Sequence, residues 1–229
     1  LQMEDLIAEA EVVVTITHAG YIKRNAVSIY RAQRRGGKGK VGMGVKEEDF
    51  VEQIFTASTH DYLLFFTDAG RVYWLKVYQL PDVGRSSKGK AIVNLLTISQ
   101  GERVTATLPV RVFAEDQFVV MATQMGYIKK TDLAAFSHPR QGGIIALTLE
   151  EGDRLIGVDI TDGTREILLG TRMGIVIRFR EEDVRPVGRT ARGVRGITLA
   201  KSNEVIGMVT ITSETQSSIL TVTERGYGK

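Results

Sequence analysis

Five copies of one four-residue signature, Thr-x-x-Gly, recur at near-constant intervals along the chain. They are Thr17-His18-Ala19-Gly20, Thr67-Asp68-Ala69-Gly70, Thr123-Gln124-Met125-Gly126, Thr171-Arg172-Met173-Gly174 and Thr223-Glu224-Arg225-Gly226, and their glycines are spaced by 50, 56, 48 and 52 residues. A period of this length restricts the chain to repeat architectures. Each repeat is one supersecondary unit that buries its apolar face only against its neighbours.

The unit reads as β. The runs Val12 to Thr17, Tyr62 to Thr67, Gln117 to Thr123, Glu166 to Thr171 and Ile219 to Thr223 are short and rich in β-branched, aromatic and other apolar residues, which predicts strands. Each ends at the signature, where glycine suits a hairpin turn that needs a left-handed residue. Return strands are expected at 21–24, 71–77, 127–130 and 175–180. A second signature, a basic glycine-containing loop, follows each of the first four turns: Lys38-Gly39-Lys40, Lys88-Gly89-Lys90, Arg140-Gln141-Gly142-Gly143 and Arg192-Gly193-Val194-Arg195. Counted from the turn glycine to Gly39, Gly89, Gly143 and Gly193, the offsets are 19, 19, 17 and 19 residues. A weaker third element precedes the next copy: Glu102-Arg103-Val104, Asp153-Arg154-Leu155 and Asn203-Glu204-Val205. Four strands in about 50 residues is the size of a propeller blade. The expected organisation is a leading linker at 1–10 and a single domain at 11–229. Its blades lie near 11–58, 59–109, 110–157 and 158–208, with an incomplete fifth at 209–229. The segment Lys46 to Phe55 places Phe50, Val51, Ile54 and Phe55 at helical spacing. Its counterparts at 103–108 and 155–160 look like strands, so at least Val51 to Ala57 is expected to be strand.

Composition agrees with this. Of 229 residues, 43% are hydrophobic and 25% charged, as in a globular protein. The 24 glycines reflect turn and loop positions that recur in every repeat. No run is long enough to cross a membrane as a helix, and Leu1 onward lacks a signal-peptide pattern. The chain has no Cys, which excludes a disulfide framework and a Cys-based zinc site, and a reducing, cytosolic location is the default.

Few residues carry signs of catalysis. Gly37-Lys38-Gly39-Lys40-Val41-Gly42 fits the dinucleotide pattern, with Asp61 downstream. It lacks the strand before and helix after that the pattern needs. His18, His60 and His138 fall one per repeat with no metal-ligand spacing. Acidic pairs such as Glu47-Glu48, Glu150-Glu151 and Glu181-Glu182 sit at loop-like positions. Trp74 aligns with Arg178 and reads as packing. No catalytic residue and no metal ligand is assigned.

The strongest local signal is Tyr30 to Lys40, which holds Arg31, Arg34, Arg35, Lys38 and Lys40, three glycines and no acid. Such a run can neutralise phosphates while its glycines bring backbone N–H groups close. Without a base-reading element, contacts would be to the nucleic-acid backbone and sequence-independent. Taken alone, the run reads equally as a solvated basic loop. The repeats favour the first reading, because cations recur at matching offsets: Lys23 and Arg24, Arg71 and Lys76, Lys129 and Lys130, Arg172 and Arg178. Further cations cluster in the second-signature loops: Arg85, Lys88 and Lys90, then Arg140, then Arg185, Arg189, Arg192 and Arg195. In a disc of blades, equivalent positions would form a curved basic track, so the modest net charge of +3 does not argue against a polyanion. A curved track can bend DNA, which costs of order 1–6 kcal/mol for 40–90° over 20–30 base pairs and needs repeated phosphate contacts to offset it.

Gln33-Arg34-Arg35-Gly36-Gly37-Lys38-Gly39 resembles the seven-residue box that marks the C-terminal domain family of the DNA gyrase A protein, a type IIA topoisomerase component. The stretches VVVTITHAGYIKR and ASTHDYLLFFTDAGRVYWLKVYQLP also look like that family, and the resemblance runs from about Asp5 to Lys229. The related topoisomerase IV domain has similar blades without an intact box. It remains the alternative, alongside a propeller-like scaffold for protein interactions. The resemblance implies an all-β pinwheel, a disc of usually six blades with strands exchanged between neighbours, here as four full blades and part of a fifth. It implies a rim that wraps double-stranded DNA with a positive sense and presents a segment for strand passage, so that the holoenzyme introduces negative supercoils. The box residues Gln33 to Gly39 would capture the wrap. The domain itself would be non-catalytic and without cofactor, since ATP and Mg act elsewhere in the holoenzyme. Its partners would be the rest of the gyrase A protein and the gyrase B protein in a heterotetramer. The isolated domain would be monomeric, and the location cytoplasmic and nucleoid-associated.

Overall fold

The signature builds the same hairpin turn five times. In each turn the glycine N–H donates to the threonine carbonyl at 2.9–3.0 Å. The threonine Oγ1 accepts the N–H of the residue after the glycine, at 3.1 Å from Tyr21, 3.4 Å from Arg71, 3.2 Å from Tyr127, 3.0 Å from Ile175 and 3.1 Å from Tyr227. Threonine is thus selected twice, as a β-branched strand residue and as a local acceptor that closes the turn. Gly20 shows why the fourth position is glycine: its φ is +84°, a left-handed conformation that L side chains rarely adopt. The segment that enters the third strand, which in the later repeats is the third sequence element, locks the turn. Asp49 accepts the N–H of Ala19 at 2.9 Å, Asp153 that of Met125 at 2.9 Å and Asn203 that of Met173 at 3.2 Å. In the second repeat the direction reverses, with Asp68 of the turn accepting the Arg103 N–H at 2.9 Å.

The computed structural model describes residues 3–30, 43–44, 48–212 and 218–229. Within them the hairpins are β1 (Glu11–Thr17) with β2 (Tyr21–Ala26), β4 (Tyr62–Thr67) with β5 (Arg71–Lys76), β8 (Phe118–Thr123) with β9 (Tyr127–Asp132), and β12 (Glu166–Thr171) with β13 (Val176–Arg180). A third strand of each repeat pairs antiparallel with the first: β3 (Val51–Ser58), β7 (Val104–Val110), β11 (Leu155–Thr161) and β15 (Val205–Ile211). Each of these pairings has a register shift beside the turn. The fourth strand comes from the following repeat. β6 (Lys90–Ala91) pairs with β2, β10 (Ile144–Ile145) with β5, and β14 (Val194–Arg195) with β9. The sheet orders are therefore β3-β1-β2-β6, β7-β4-β5-β10, β11-β8-β9-β14 and β15-β12-β13. This is the exchanged-strand, all-β pinwheel. Among the described residues there is no α-helix, only 3₁₀ turns, and no helix is long and apolar enough to cross a membrane.

The cores lie between consecutive sheets, which explains the uninterrupted apolar runs. On β4, Leu63 and Phe65 pack towards the first sheet while Leu64 and Phe66 pack towards the third. On β8, Val119 and Met121 face the second sheet while Val120 and Ala122 face the fourth. Alternation along a strand puts neighbours on opposite faces, so a strand sandwiched on both sides must be apolar at every position. Each fully buried Leu or Phe contributes about 1.5–3 kcal/mol relative to exposure. On β12, Ile167 and Leu169 are buried in the core shared with the third sheet and Leu168 is half-buried.

Val51–Ser58 is strand, because pairing with β1 overrides the helical spacing of its apolar residues. The predicted strand from Ile219 to Thr223 does not form. The fifth turn is present, but it stands as a lone hairpin with one bridge, Val222 to Gly228, and an isolated two-stranded hairpin is marginal in water. The leading segment, which reads as a linker in sequence, is tied to the second repeat. The His60 ring nitrogen Nε2 lies 2.7 Å from the Ile7 carbonyl oxygen, Lys76 pairs with Glu4 at 3.1 Å, and Arg111 pairs with Glu9.

Candidate nucleic-acid interface

Strand order places the basic loops. The third strand β11 contacts β7 of the preceding sheet and β15 of the following one, so these strands lie together along one side of the three sheets. The exchanged strands β6, β10 and β14 lie at the opposite edge of their sheets, so the loops that deliver them lie along that edge. The segments 84–91, 139–145 and 188–195 contain no Asp or Glu. They bring Arg85, Lys88 and Lys90, then Arg140, then Arg189, Arg192 and Arg195 to equivalent places on three successive sheets.

Several of these cations are braced against an aromatic ring of the preceding repeat. Lys88 Nζ lies 4.4 Å from the Tyr21 ring centre. The guanidinium of Arg192 lies 4.7 Å and that of Arg195 4.4 Å from the Tyr127 ring centre. Arg195 also donates to the Tyr127 hydroxyl at 3.0 Å, and Arg192 pairs with Glu150. In the second repeat Arg71 donates to the Gly142 carbonyl at 2.7 Å and to the Tyr73 hydroxyl at 3.2 Å. Such bracing keeps long cationic side chains extended over the surface while leaving Arg192 and Arg195 exposed. Lys90 and Arg140 are exposed as well. Arg189 donates to the Ile145 carbonyl at 3.1 Å.

Other predicted rim residues are engaged elsewhere. Arg24 is held by Asp82 at 3.2 Å and by the Leu80 carbonyl at 3.1 Å. Lys76 donates to the His60 carbonyl at 2.8 Å and sits 3.9 Å above the Tyr62 ring. Arg172 pairs with Glu204 at 3.3 Å, and Arg178 with Glu166, its Nε at 2.8 Å.

Lys23, Lys129 and Lys130 are not rim residues. They are 0%, 1% and 5% exposed. Lys130 donates to the Glu181 carbonyl at 2.8 Å beneath the Phe118 ring. Lys23 and Lys129 donate to clusters of backbone carbonyls. The repeats held the signal. Three residues after the turn glycine stand Lys23, Tyr73, Lys129 and Ile177, and four after it Trp74 aligns with Lys130. Tyr73 and Trp74 are core residues, Trp74 donating to the Phe136 carbonyl at 3.0 Å, so both positions turn inward in the second and third repeats. Burial pushes the Lys129 amine down to about 7, and the positive charge of Arg189 adds to the shift. Lys23 is lowered for the same reasons, burial first and then Arg85.

The box residues Gln33, Arg34, Arg35, Gly36, Gly37, Lys38 and Gly39, with Arg31 and Lys40, lie outside the described residues. Shortly after them Met43 is buried, and a Cβ on Gly44 would meet the Ser86 carbonyl oxygen at 2.0 Å. Gly44 therefore lies against Ser86 of the 84–91 loop. Among the described residues no group of three or more His, Asp or Glu side chains could hold a metal ion.

Comparison with known proteins follows the same repeats. A family model described as the DNA gyrase C-terminal domain, beta-propeller, matches residues 11–58, 61–111, 117–162 and 165–212. The DNA gyrase A protein of Salmonella typhimurium is 51% identical over 229 residues, covering all of this chain and 26% of that protein. Its counterpart from Staphylococcus aureus is 47% identical over 230 residues, again covering the whole chain and 26% of the relative. The chain thus spans about a quarter of the length of the curated relatives it matches. A solved C-terminal domain of DNA topoisomerase IV aligns with a TM-score of 0.82 at 30% identity, over 97% of this chain and 68% of that one.

Proposed function

Because this chain belongs to the DNA gyrase C-terminal domain family, we propose that it binds double-stranded DNA without regard to sequence and bends it around the rim. The bent segment is presented for strand passage, and the gyrase holoenzyme, a heterotetramer of the gyrase A and gyrase B proteins, thereby introduces negative supercoils in the bacterial cytoplasm. In this reading the chain contributes no catalytic group and no cofactor site, and acts as a single domain that shapes DNA. The observation that carries it is the acid-free basic loop repeated at the same register on the exchanged-strand edge of three consecutive sheets. One basic patch would bind DNA, whereas equivalent patches around a disc supply the successive phosphate contacts that a bend requires.

The Tyr127 clamp offers the test. Arg192→Ala with Arg195→Ala removes two exposed cations at some distance from the sheet cores. The log–log dependence of DNA affinity on salt is expected to become shallower by about 1.8, two phosphate contacts at roughly 0.9 each. An unchanged slope in titrations of random-sequence duplex would refute the assignment of this loop.

A further inference from the structure

Lys23 and Lys129 are buried lysines with no carboxylate among their hydrogen-bond partners in the described residues, and the rim reading does not use them. Lys23 Nζ donates to the carbonyls of Arg85 at 2.7 Å, Ser87 at 3.0 Å and Gly84 at 3.3 Å. Lys129 Nζ donates to the carbonyls of Ala146 at 2.7 Å, Ala191 at 2.9 Å and Arg189. An ammonium has three N–H donors, and each site supplies three acceptors. Two of the acceptors are equivalent in the two sites: Arg85 and Ser87 correspond to Arg189 and Ala191 two repeats later, and Lys23 to Lys129, while the third carbonyl is Gly84 of the same loop in one site and Ala146, outside the 188–195 loop, in the other. In both, the glycine that follows the clasped carbonyls lies flat on the lysine, since a Cβ on Gly89 or on Gly193 would come within 2.9 Å of the Cβ of Lys23 or Lys129.

We propose that Lys23 and Lys129 are positioning residues, each gathering the carbonyls of the basic loop donated by the next repeat and holding its cations in place for DNA, an inference that rests on the DNA-binding reading above. A loop of Gly, Ser and basic residues has little apolar surface with which to order itself, and its like charges repel one another. The lysine supplies the order from beneath, and its charge is directed at carbonyls rather than phosphates. The second repeat meets the same need differently. Arg71 reaches the Gly142 and Gly143 carbonyls, and Gly143 abuts the Tyr73 ring. Two chemical solutions at one structural position indicate that holding this loop is itself the requirement.

The test pairs amide hydrogen exchange with salt titration of DNA binding, in the full chain. Lys23→Met is expected to accelerate exchange at least tenfold within 84–91, including the Ser87 amide, and Lys129→Met to do so within 188–195, each leaving the other loop protected. For each variant the salt dependence is expected to become shallower by more than the roughly 0.9 of one phosphate contact, approaching about 2.7 as three loop cations lose their places. Unchanged exchange in both loops would overturn the proposal. So would a shallower slope of about 0.9 with unchanged exchange, the mark of a lysine that touches phosphate directly. If methionine prevents folding, Lys23→Gln and Lys129→Gln keep two donors and are scored by the same criteria. Absence of DNA binding by the unaltered chain would defeat the DNA reading, while the exchange arm would still decide the clasp.

Discussion

Gyrase carrying Arg34→Ala with Arg35→Ala is expected to cleave and relax DNA but to lose supercoiling by about two orders of magnitude. The two arginines sit in the densest basic run of the chain, five cations in ten residues without an acid. In sequence the run occupies the register of the rim loops: Gly39 follows its turn glycine by 19 residues, as Gly89 and Gly193 follow theirs. A charge-assisted phosphate contact contributes roughly 1.5 kcal/mol or more. Losing two removes about 3 kcal/mol, comparable to the whole cost of a moderate bend. The DNA would then remain bound elsewhere but unbent, and the gate would be offered no segment of the same molecule. Relaxed plasmid with ATP reads supercoiling and supercoiled plasmid without ATP reads relaxation, and normal supercoiling by the variant would refute the role given to the box.

A large effect on stability is expected at Gly193. Its φ is +97°, and a Cβ there would stand 2.4 Å from the Ile128 carbonyl oxygen, a backbone atom of the strand on which β14 lies. Gly193→Ala therefore adds a steric conflict with backbone to the conformational strain, and a loss of about 3 kcal/mol or more is expected. For a domain of this size that lowers the melting temperature by roughly 6–12 °C. Gly20→Ala isolates the strain alone, since Gly20 has a φ of +84° but nothing within 4 Å of a Cβ, and about 1 kcal/mol is expected there. Equal losses at the two sites would show that close packing of the exchanged strand is not what glycine secures at Gly193.

The repeats make the fold legible. The turn glycines, the strands beside them and the basic loops all follow from a period of about 50 residues, since one blade dictates the next. Three things are hidden by the same averaging. The strand exchange that places 90–91, 144–145 and 194–195 on a neighbouring sheet is a long-range pairing of two residues, too short to leave a periodic pattern. The threonine hydroxyl that closes each turn looks in sequence like any β-branched strand residue. Lys23, Lys129 and Lys130 read as rim because charge suggests the surface, yet their alignment with Tyr73, Ile177 and Trp74 marks those positions as inward. Residue type misleads there, and repeat position is the better guide. At the interface the sequence favours the loops, where the structure leaves Lys90, Arg140, Arg192 and Arg195 exposed, and misleads at the strands, where packing decides.

Bending itself is the central claim, and ligase-catalysed circularisation of short duplexes measures it most directly. Fragments below one persistence length, about 150 base pairs, rarely close unaided. The chain is expected to raise the yield of small circles in this range, with a dependence on fragment length, and the gain is expected to fall as salt is increased. Saturating binding to the same fragments with no gain in circles at any length would contradict the account, leaving a basic surface that holds DNA without shaping it.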